Sequence, residues 1–222
     1  MSADTAEPRA YRSAIREEQA QVTRRAVVSA AAELFMERGY AATTIDAVAE
    51  RATVSRRTVF TAVGGKAALL KLVWDWSLAG DDEPVPIAER AAVRRIQDET
   101  DPVVVLRLQA RHIREVAERV AALDRVLAVA ADADPEAAAL RESIQQQRLT
   151  GARMFVQSLR DRGWLRRGIS VRQGAEVCWL LMDPTAYGWL VKERGWTTRQ
   201  YDRYLVETLS ALLLDGSALS SA

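Results

Sequence analysis

Cysteine and histidine are nearly absent from this sequence: its 222 residues include one of each, Cys178 and His112. No intrachain disulfide can form, and His112 has no partner at metal-ligand spacing. In a helix beside Arg111, Arg114 and Glu115, it reads as solvent-exposed surface. Long hydrophobic runs are missing as well; none approaches the roughly 18 residues of a membrane span. Met1 to Arg16 is polar and lacks the apolar core of a secretory leader, so the expected compartment is the cytoplasm and no membrane partner is expected. Period-two alternation bounded by hairpin turns is scarce, which argues against a sheet. There is no nucleophile elbow, and Gly64-Gly65-Lys66 lacks the first glycine of a phosphate-binding loop and follows no strand. Neither enzymatic activity nor a cofactor or metal is expected. A large charge of one sign is also lacking, with 31 Lys and Arg against 30 Asp and Glu.

What remains is ordinary globular composition, 49% hydrophobic and 27% charged, rich in the helix formers Ala, Leu, Arg, Glu and Gln. The expected fold class is all-α. Counting charge by segment exposes a bias that the total hides. Residues 19–66 hold Arg24, Arg25, Arg38, Arg51, Arg56, Arg57 and Lys66 against Glu33, Glu37, Asp46 and Glu50, an excess of three positive charges. A local excess of this kind suits a polyanion, because phosphate neutralisation supplies most sequence-independent affinity for nucleic acid.

The same segment has a definite helical pattern. A first helix is expected from about Gln19 to Arg38, with Val27, Ala31, Leu34 and Phe35 on one face and Gly39 as its stop. Residues 1–18 are expected to form a flexible arm, in which Arg9, Arg12 and Arg16 are either a solvated tail or a reach along DNA. Thr43, followed by Asp46 three residues on, announces a second helix with Ile45, Val48 and Ala49 on its apolar side. Ala52 to Val54 leave room only for a tight turn, and Ser55 caps a third helix running to about Ala62 with Val59 and Val63 inward. Two short helices joined by about three residues make a helix-turn-helix. In that unit the N-terminal residues of the second helix meet base edges and phosphates. Here they are Ser55, Arg56, Arg57 and Thr58: arginine forks onto guanine, and the hydroxyls reach phosphate or base. Phe60 and Thr61 follow on the groove side. Taken singly, an Arg-Arg pair is an ordinary solvated face; the combination of cap, turn and Lys66 carries the DNA reading.

The run Thr43-Thr44-Ile45-Asp46-Ala47-Val48-Ala49-Glu50-Arg51-Ala52-Thr53-Val54-Ser55-Arg56-Arg57-Thr58-Val59-Phe60, with Gly65-Lys66 and Leu69-Leu70 behind it, resembles the N-terminal region of the tetracycline-repressor (TetR) family over roughly residues 22–72. The resemblance implies a homodimer whose three-helix DNA-binding domain is joined to a larger helical domain that binds a small molecule. It further implies that Thr44, Ser55, Arg56, Arg57, Thr58, Thr61 and Lys66 contact double-stranded DNA. Several positions depart from the family pattern. Phe60 replaces a tyrosine whose hydroxyl binds phosphate and leaves only apolar contact, with sugar or a thymine methyl. Thr53 stands where the turn commonly has glycine, Ala62 where an aromatic or histidine is frequent, Val63 where a core phenylalanine is usual, and Gly65 where a serine cap is usual.

On this reading the domains are residues 1–18 (arm), 19–65 (helix-turn-helix domain), 66–215 (ligand-binding and dimerisation domain) and 216–222 (tail). Beyond Lys66, helices are expected at Ile87–Gln97, Val103–Ala131, Pro135–Arg162, Val171–Met182, Pro184–Arg194 and Thr198–Leu214. Trp74, Trp76, Trp179 and Met182 are candidates to line a pocket for an unknown effector, with Tyr187 and Trp189 near them in sequence; the alternative is that they are plain core or interface residues. Cys178 reads as a small buried hydrophobe. The stripe Tyr204, Leu205, Leu209, Leu212 and Leu213 either buries against a second copy, as the resemblance implies for the last helices, or within its own chain. The function that follows is a ligand-responsive repressor binding a palindromic operator as a dimer. The alternative is a constitutive or architectural DNA-binding protein without an effector, and activation is open to either.

Overall fold

The computed structural model describes residues 9–215, with side chains from Ile15 onward. Its elements are helical throughout, nearly all of them α, apart from one isolated antiparallel bridge between Leu165 and Leu214. Two compact units divide the chain, the first ending at Asp75 and the second starting at Trp76. The division therefore falls inside the helix Lys66–Ala79, later than the expected boundary at Lys66.

In the first unit, α1 (Arg9–Ala42) packs against α2 (Ile45–Arg51) and α3 (Arg56–Val63), which also pack against each other. α1 starts well before the expected Gln19, so residues 9–18 of the expected flexible arm are helical; residues 1–8 lie outside the described part. The reason is compositional, since no Gly or Pro occurs between Arg9 and Arg38 and nothing opposes propagation of the helix. At Gly39 the backbone turns to φ 76°, ψ 173°, a conformation that only glycine adopts without strain. The expected apolar face is buried: Val27, Ala31, Leu34 and Phe35 are at most 1% exposed, and Val48 and Val59 are fully buried. Each large side chain so buried contributes about 1.5–3 kcal/mol of transfer free energy. α4 (Lys66–Ala79) adds buried Leu69, Leu70, Val73 and Trp74.

The second unit is built around α6 (Pro102–Ala131), which packs against α5 (Ala91–Asp98), α7 (Pro135–Asp161), α9 (Pro184–Tyr187) and α10 (Thr198–Leu213), while α7 lies along α8 (Val171–Leu181). Side-chain caps fix the starts: Asp101 on α6, Asp134 on α7, and full capping boxes at Ser170 with Gln173 and at Thr197 with Gln200. The expected helix Ile87–Gln97 is broken instead. A 3₁₀ turn at Ile87–Glu89 precedes extended Arg90, and α5 starts at Ala91. The break is held by the Arg90 guanidinium, which donates to both Asp81 carboxylate oxygens at 2.6 and 2.9 Å and to the carbonyls of Glu83 and Ala79. After Pro184, α9 widens into a π-helical stretch at Gly188–Glu193.

Three residues of the α10 stripe, Leu205, Leu209 and Leu213, are fully buried within this chain, and Tyr204 and Leu212 pack against the same core. Those three are covered within this chain, while Tyr204 and Leu212 are half-buried. Packing between α7 and α8 is close at Gly174, where a Cβ would stand 2.8 Å from Cγ1 of Val156. Cys178 is fully buried, as expected, and burial pushes its thiol up to about 12.

Candidate nucleic-acid interface

The helix-turn-helix is organised by two threonines with different duties. Thr43, the expected cap, is buried, and its hydroxyl donates back into α1, 2.8 Å from the Gly39 carbonyl and 3.1 Å from that of Leu34. The cap of α2 is Thr44, whose hydroxyl accepts from the Ala47 amide at 3.1 Å. Thr43 is drawn inward because the break at Gly39 frees carbonyls that need a donor. Arg51, at the end of α2, then grips α1, donating to both Glu37 oxygens at 2.8 and 2.9 Å and to Glu33 at 3.2 Å. The Arg51 guanidinium in turn holds the Glu37 carboxyl below its usual range.

The turn between α2 and α3 contains a strained residue. Thr53 has φ 56°, the sole positive φ outside glycine among the described residues. The left-handed region costs an L-residue roughly 1–2 kcal/mol, and a β-branched side chain suffers most. The position identified from sequence as a common glycine site is therefore one where glycine is physically favoured. Ser55 caps α3 as expected, accepting from the Thr58 amide at 3.0 Å and lying 2.7 Å from the Thr58 hydroxyl.

The two arginines at the start of α3 are both exposed but differently committed. Arg56 donates to Asp46 of α2 at 2.6 Å, and its guanidinium lies 5.6 Å from the centroid of the exposed Phe60 ring. The Arg57 side chain has no hydrogen bond or ion pair among the described residues, so all its donors face outward unspent. Thr61 is exposed, and its hydroxyl donates to the Arg57 carbonyl at 3.0 Å. Val59 and Val63 face inward. Ser55, Arg56, Arg57, Phe60 and Thr61 thus share the solvent side of one short helix, with Thr58 half-buried. Lys66 opens α4 and folds over the first unit, its ammonium 4.2 Å from the Tyr40 ring and 3.2 Å from the Ala41 carbonyl. On the first turn of α3, Arg56 thus faces a carboxylate and Arg57 does not.

The four pocket candidates fall in different units, Trp74 in the first and Trp76, Trp179 and Met182 in the second. Trp74 is buried and Trp76 half-buried. Trp179 and Met182 are half-buried and both pack against the core of the second unit. A surface concavity of about 460 Å³ lies elsewhere, lined by Ala91, Arg94, Arg95, Asp98 and Glu99. Tyr187 is buried with its ring edge-on to Tyr201, whereas Trp189 is 60% exposed. His112 is not the exposed surface residue expected; it is half-buried, and burial with the charge of Arg119 holds its imidazole below the usual range. Sequence reading passed over Asp124 and Arg148. Asp124 is 6% exposed, and burial and the neighbouring Asp183 raise its carboxyl above the usual range. Arg148 donates to Asp183 at 2.7 Å and to Gln145 at 2.6 Å, and its guanidinium stacks 5.0 Å from the Trp179 ring. Their only sequence signal is polarity at an inward helical register, which is weak for a single residue.

Among the described residues no helix is long and apolar enough to cross a membrane, and no His, Cys, Asp and Glu cluster suits a metal ion. Comparison with known proteins finds that residues 27–73 match the family described as bacterial regulatory proteins, tetR family. A Bacillus subtilis (strain 168) protein described as the uncharacterized HTH-type transcriptional regulator YdeS is 42% identical over 64 residues, 29% of this chain and 32% of the relative. The chain thus matches about a third of that relative's length. Among solved structures, NalD of Pseudomonas aeruginosa, titled the secondary repressor of the MexAB-OprM multidrug efflux pump, superposes with TM-score 0.64 at 20% identity, over 89% of this chain and 98% of NalD. AibR, solved with isovaleryl coenzyme A and operator DNA, superposes with TM-score 0.59 at 21% identity, over 86% of this chain and 97% of its own. These likenesses extend the fold across both units.

Proposed function

We propose that the chain, whose residues 27–73 match the tetR family of bacterial regulatory proteins, is a dimeric, ligand-responsive transcriptional repressor of a palindromic operator. The observation that carries the DNA reading is the exposed N-terminal face of α3, where Arg57 stands with unspent donors beside the Ser55 cap. An arginine on the first turn of such a helix forks onto guanine O6 and N7 in the major groove. Arg56, turned toward Asp46 and Phe60, serves as a phosphate or edge contact; Thr44, Ser55, Thr58 and Thr61 supply hydroxyls; Lys66 supplies a phosphate charge. Phe60 offers only apolar contact with sugar or a thymine methyl.

Dimer formation follows from the operator geometry, since half-sites one helical turn apart, about 34–36 Å, need two reading heads. Exposed Leu180 on α8 and Met154 on α7 support pairing through those helices, since Leu205, Leu209 and Leu213 of the α10 stripe are buried within the chain. The effector acts in the second unit by favouring a conformation with unsuitable spacing of the reading heads. The coupling is reciprocal, so operator weakens effector binding by the same factor. NalD and AibR, a repressor and a regulator solved with acyl coenzyme A and operator, support this division of labour by fold.

The test is selection of binding sites from a pool of random duplexes, with the mass of the complex measured by light scattering. Enrichment of a palindrome bound by two chains supports the reading; no enrichment, or one chain per site, contradicts it.

A further inference from the structure

The interior of the second unit contains polar groups that the fold leaves unsatisfied. Buried Nε of Arg148, Nε1 of Trp179 and Oη of Tyr201 have no hydrogen-bond partner. Asp124, buried on α6, makes no hydrogen bond or ion pair among the described residues. Contacts and charge link them through Arg148 and Asp183. The Arg148 guanidinium stacks on Trp179 and pairs with Asp183, and the Asp183 charge acts on both Asp124 and Tyr201. Native interiors satisfy nearly all such groups, because a buried donor or acceptor without a partner costs more than a hydrogen bond returns. Here the unsatisfied N–H donors of Arg148 and Trp179, on α7 and α8, lie side by side, and Asp124 of α6 feels the charge of the Asp183 that pairs with Arg148.

We propose that Asp124, Arg148 and Trp179 are the polar end of the effector site, and that it takes a small, largely apolar, uncharged molecule carrying a hydroxyl group. This inference rests on the ligand-responsive reading above and names the chemistry of its ligand. A hydroxyl donates one hydrogen bond and accepts two, so it donates to the Asp124 carboxylate and accepts from Trp179 Nε1 or Arg148 Nε. A carboxylate ligand has no spare cation, since Arg148 is already neutralised by Asp183 at 2.7 Å, and it would stand beside Asp124. An ammonium accepts nothing and leaves both N–H groups unpaired. Next to Trp179 on α8, Cys178 is fully buried and its sulfur lies 3.9 Å from that of Met182.

The full chain is titrated with 2-naphthol and, in parallel, with naphthalene, 2-naphthoate and 2-naphthylmethylammonium. The indole N–H resonances of the six tryptophans are followed by NMR, with Trp179→Phe identifying the signal of Trp179. 2-Naphthol is expected to shift that resonance and to bind about tenfold or more tightly than the other three, as a site that hydrogen-bonds a hydroxyl should. Asp124→Leu should weaken 2-naphthol about tenfold, with the thermal unfolding of the same variant showing that it is folded, and Asp124→Asn serves as the second variant should it not be. Absence of binding, equal binding of naphthalene, tighter binding of either ion, or undiminished binding by the Asp124 variant overturns the proposal. Operator binding is measured on the same samples. If operator is bound while 2-naphthol is not, the site fails and the DNA reading stands; if 2-naphthol binds as described but no operator is selected, the site stands as a binding site and the regulatory reading fails.

Discussion

The two units carry their distinctive polar groups in opposite ways. In the first, Arg57 and its neighbours stand in water on a single turn of α3, fixed by the Ser55 cap and by α2 beneath. In the second, Asp124 is buried on α6, and Arg148 of α7 stacks on Trp179 of α8. An exposed arginine costs the fold almost nothing and is free to choose a partner, whereas an unpaired buried carboxyl costs stability until something satisfies it. A surface reader is thus built from local sequence, and an internal sensor from long-range packing.

Several substitutions sharpen this contrast, and the largest effect belongs to ordinary packing. Leu205→Ala removes a fully buried side chain and is expected to cost about 2–5 kcal/mol, read by urea denaturation; a loss below 1 kcal/mol would mean that the core around α10 is loose. Next comes Thr53→Gly, which relieves the left-handed strain and is expected to stabilise by about 1 kcal/mol, with a raised Tm. A lowered Tm would show that the threonine side chain makes contacts worth more than its backbone costs. Ser55→Ala should lose about 1 kcal/mol through the missing cap, and the same variant should bind DNA more weakly.

Asp124→Asn tests the buried charge through pH. Because the folded carboxyl titrates above its unfolded value, the native state holds the proton more tightly, and stability falls as pH rises through that window. The variant should therefore be more stable than the parent at neutral pH, with the advantage shrinking as pH drops into the ordinary carboxylate range. An advantage independent of pH would remove the charge from the explanation. The smallest effect is expected for Lys66→Ala, which should reduce the salt slope of DNA binding by about one unit with sequence preference intact.

Legibility in the sequence follows the same divide. Caps, breaks and periodic faces are local, so Ser55, Gly39, the Pro184 junction and the Val27 to Phe35 stripe were readable, as was the all-α class. Thr43 and Thr44 were confused because both stand before Ile45, and only the tertiary demand of the free carbonyls at the end of α1 separates them. The start of α1 was missed because polar residues suggested an arm although every one is compatible with a helix. The break at Arg90 depends on a guanidinium reaching Asp81, nine residues away, and no periodicity encodes it. His112 looked exposed because its neighbours in sequence are charged, yet its register on α6 turns it inward. Asp124 and Arg148 are ordinary polar letters on helical segments, and their meaning arises only when α6, α7 and α8 assemble.

The most direct test compares two adjacent side chains. On the site enriched from the random pool, affinities for every single-base substitution are measured with the parent, Arg56→Ala and Arg57→Ala. Arg57→Ala is expected to lose about 1–3 kcal/mol and to flatten preference at one guanine in each half-site, while Arg56→Ala weakens all sequences uniformly. If Arg57→Ala leaves the base preferences unchanged, or if Arg56→Ala alone abolishes them, the reading head is not the free arginine on the first turn of α3.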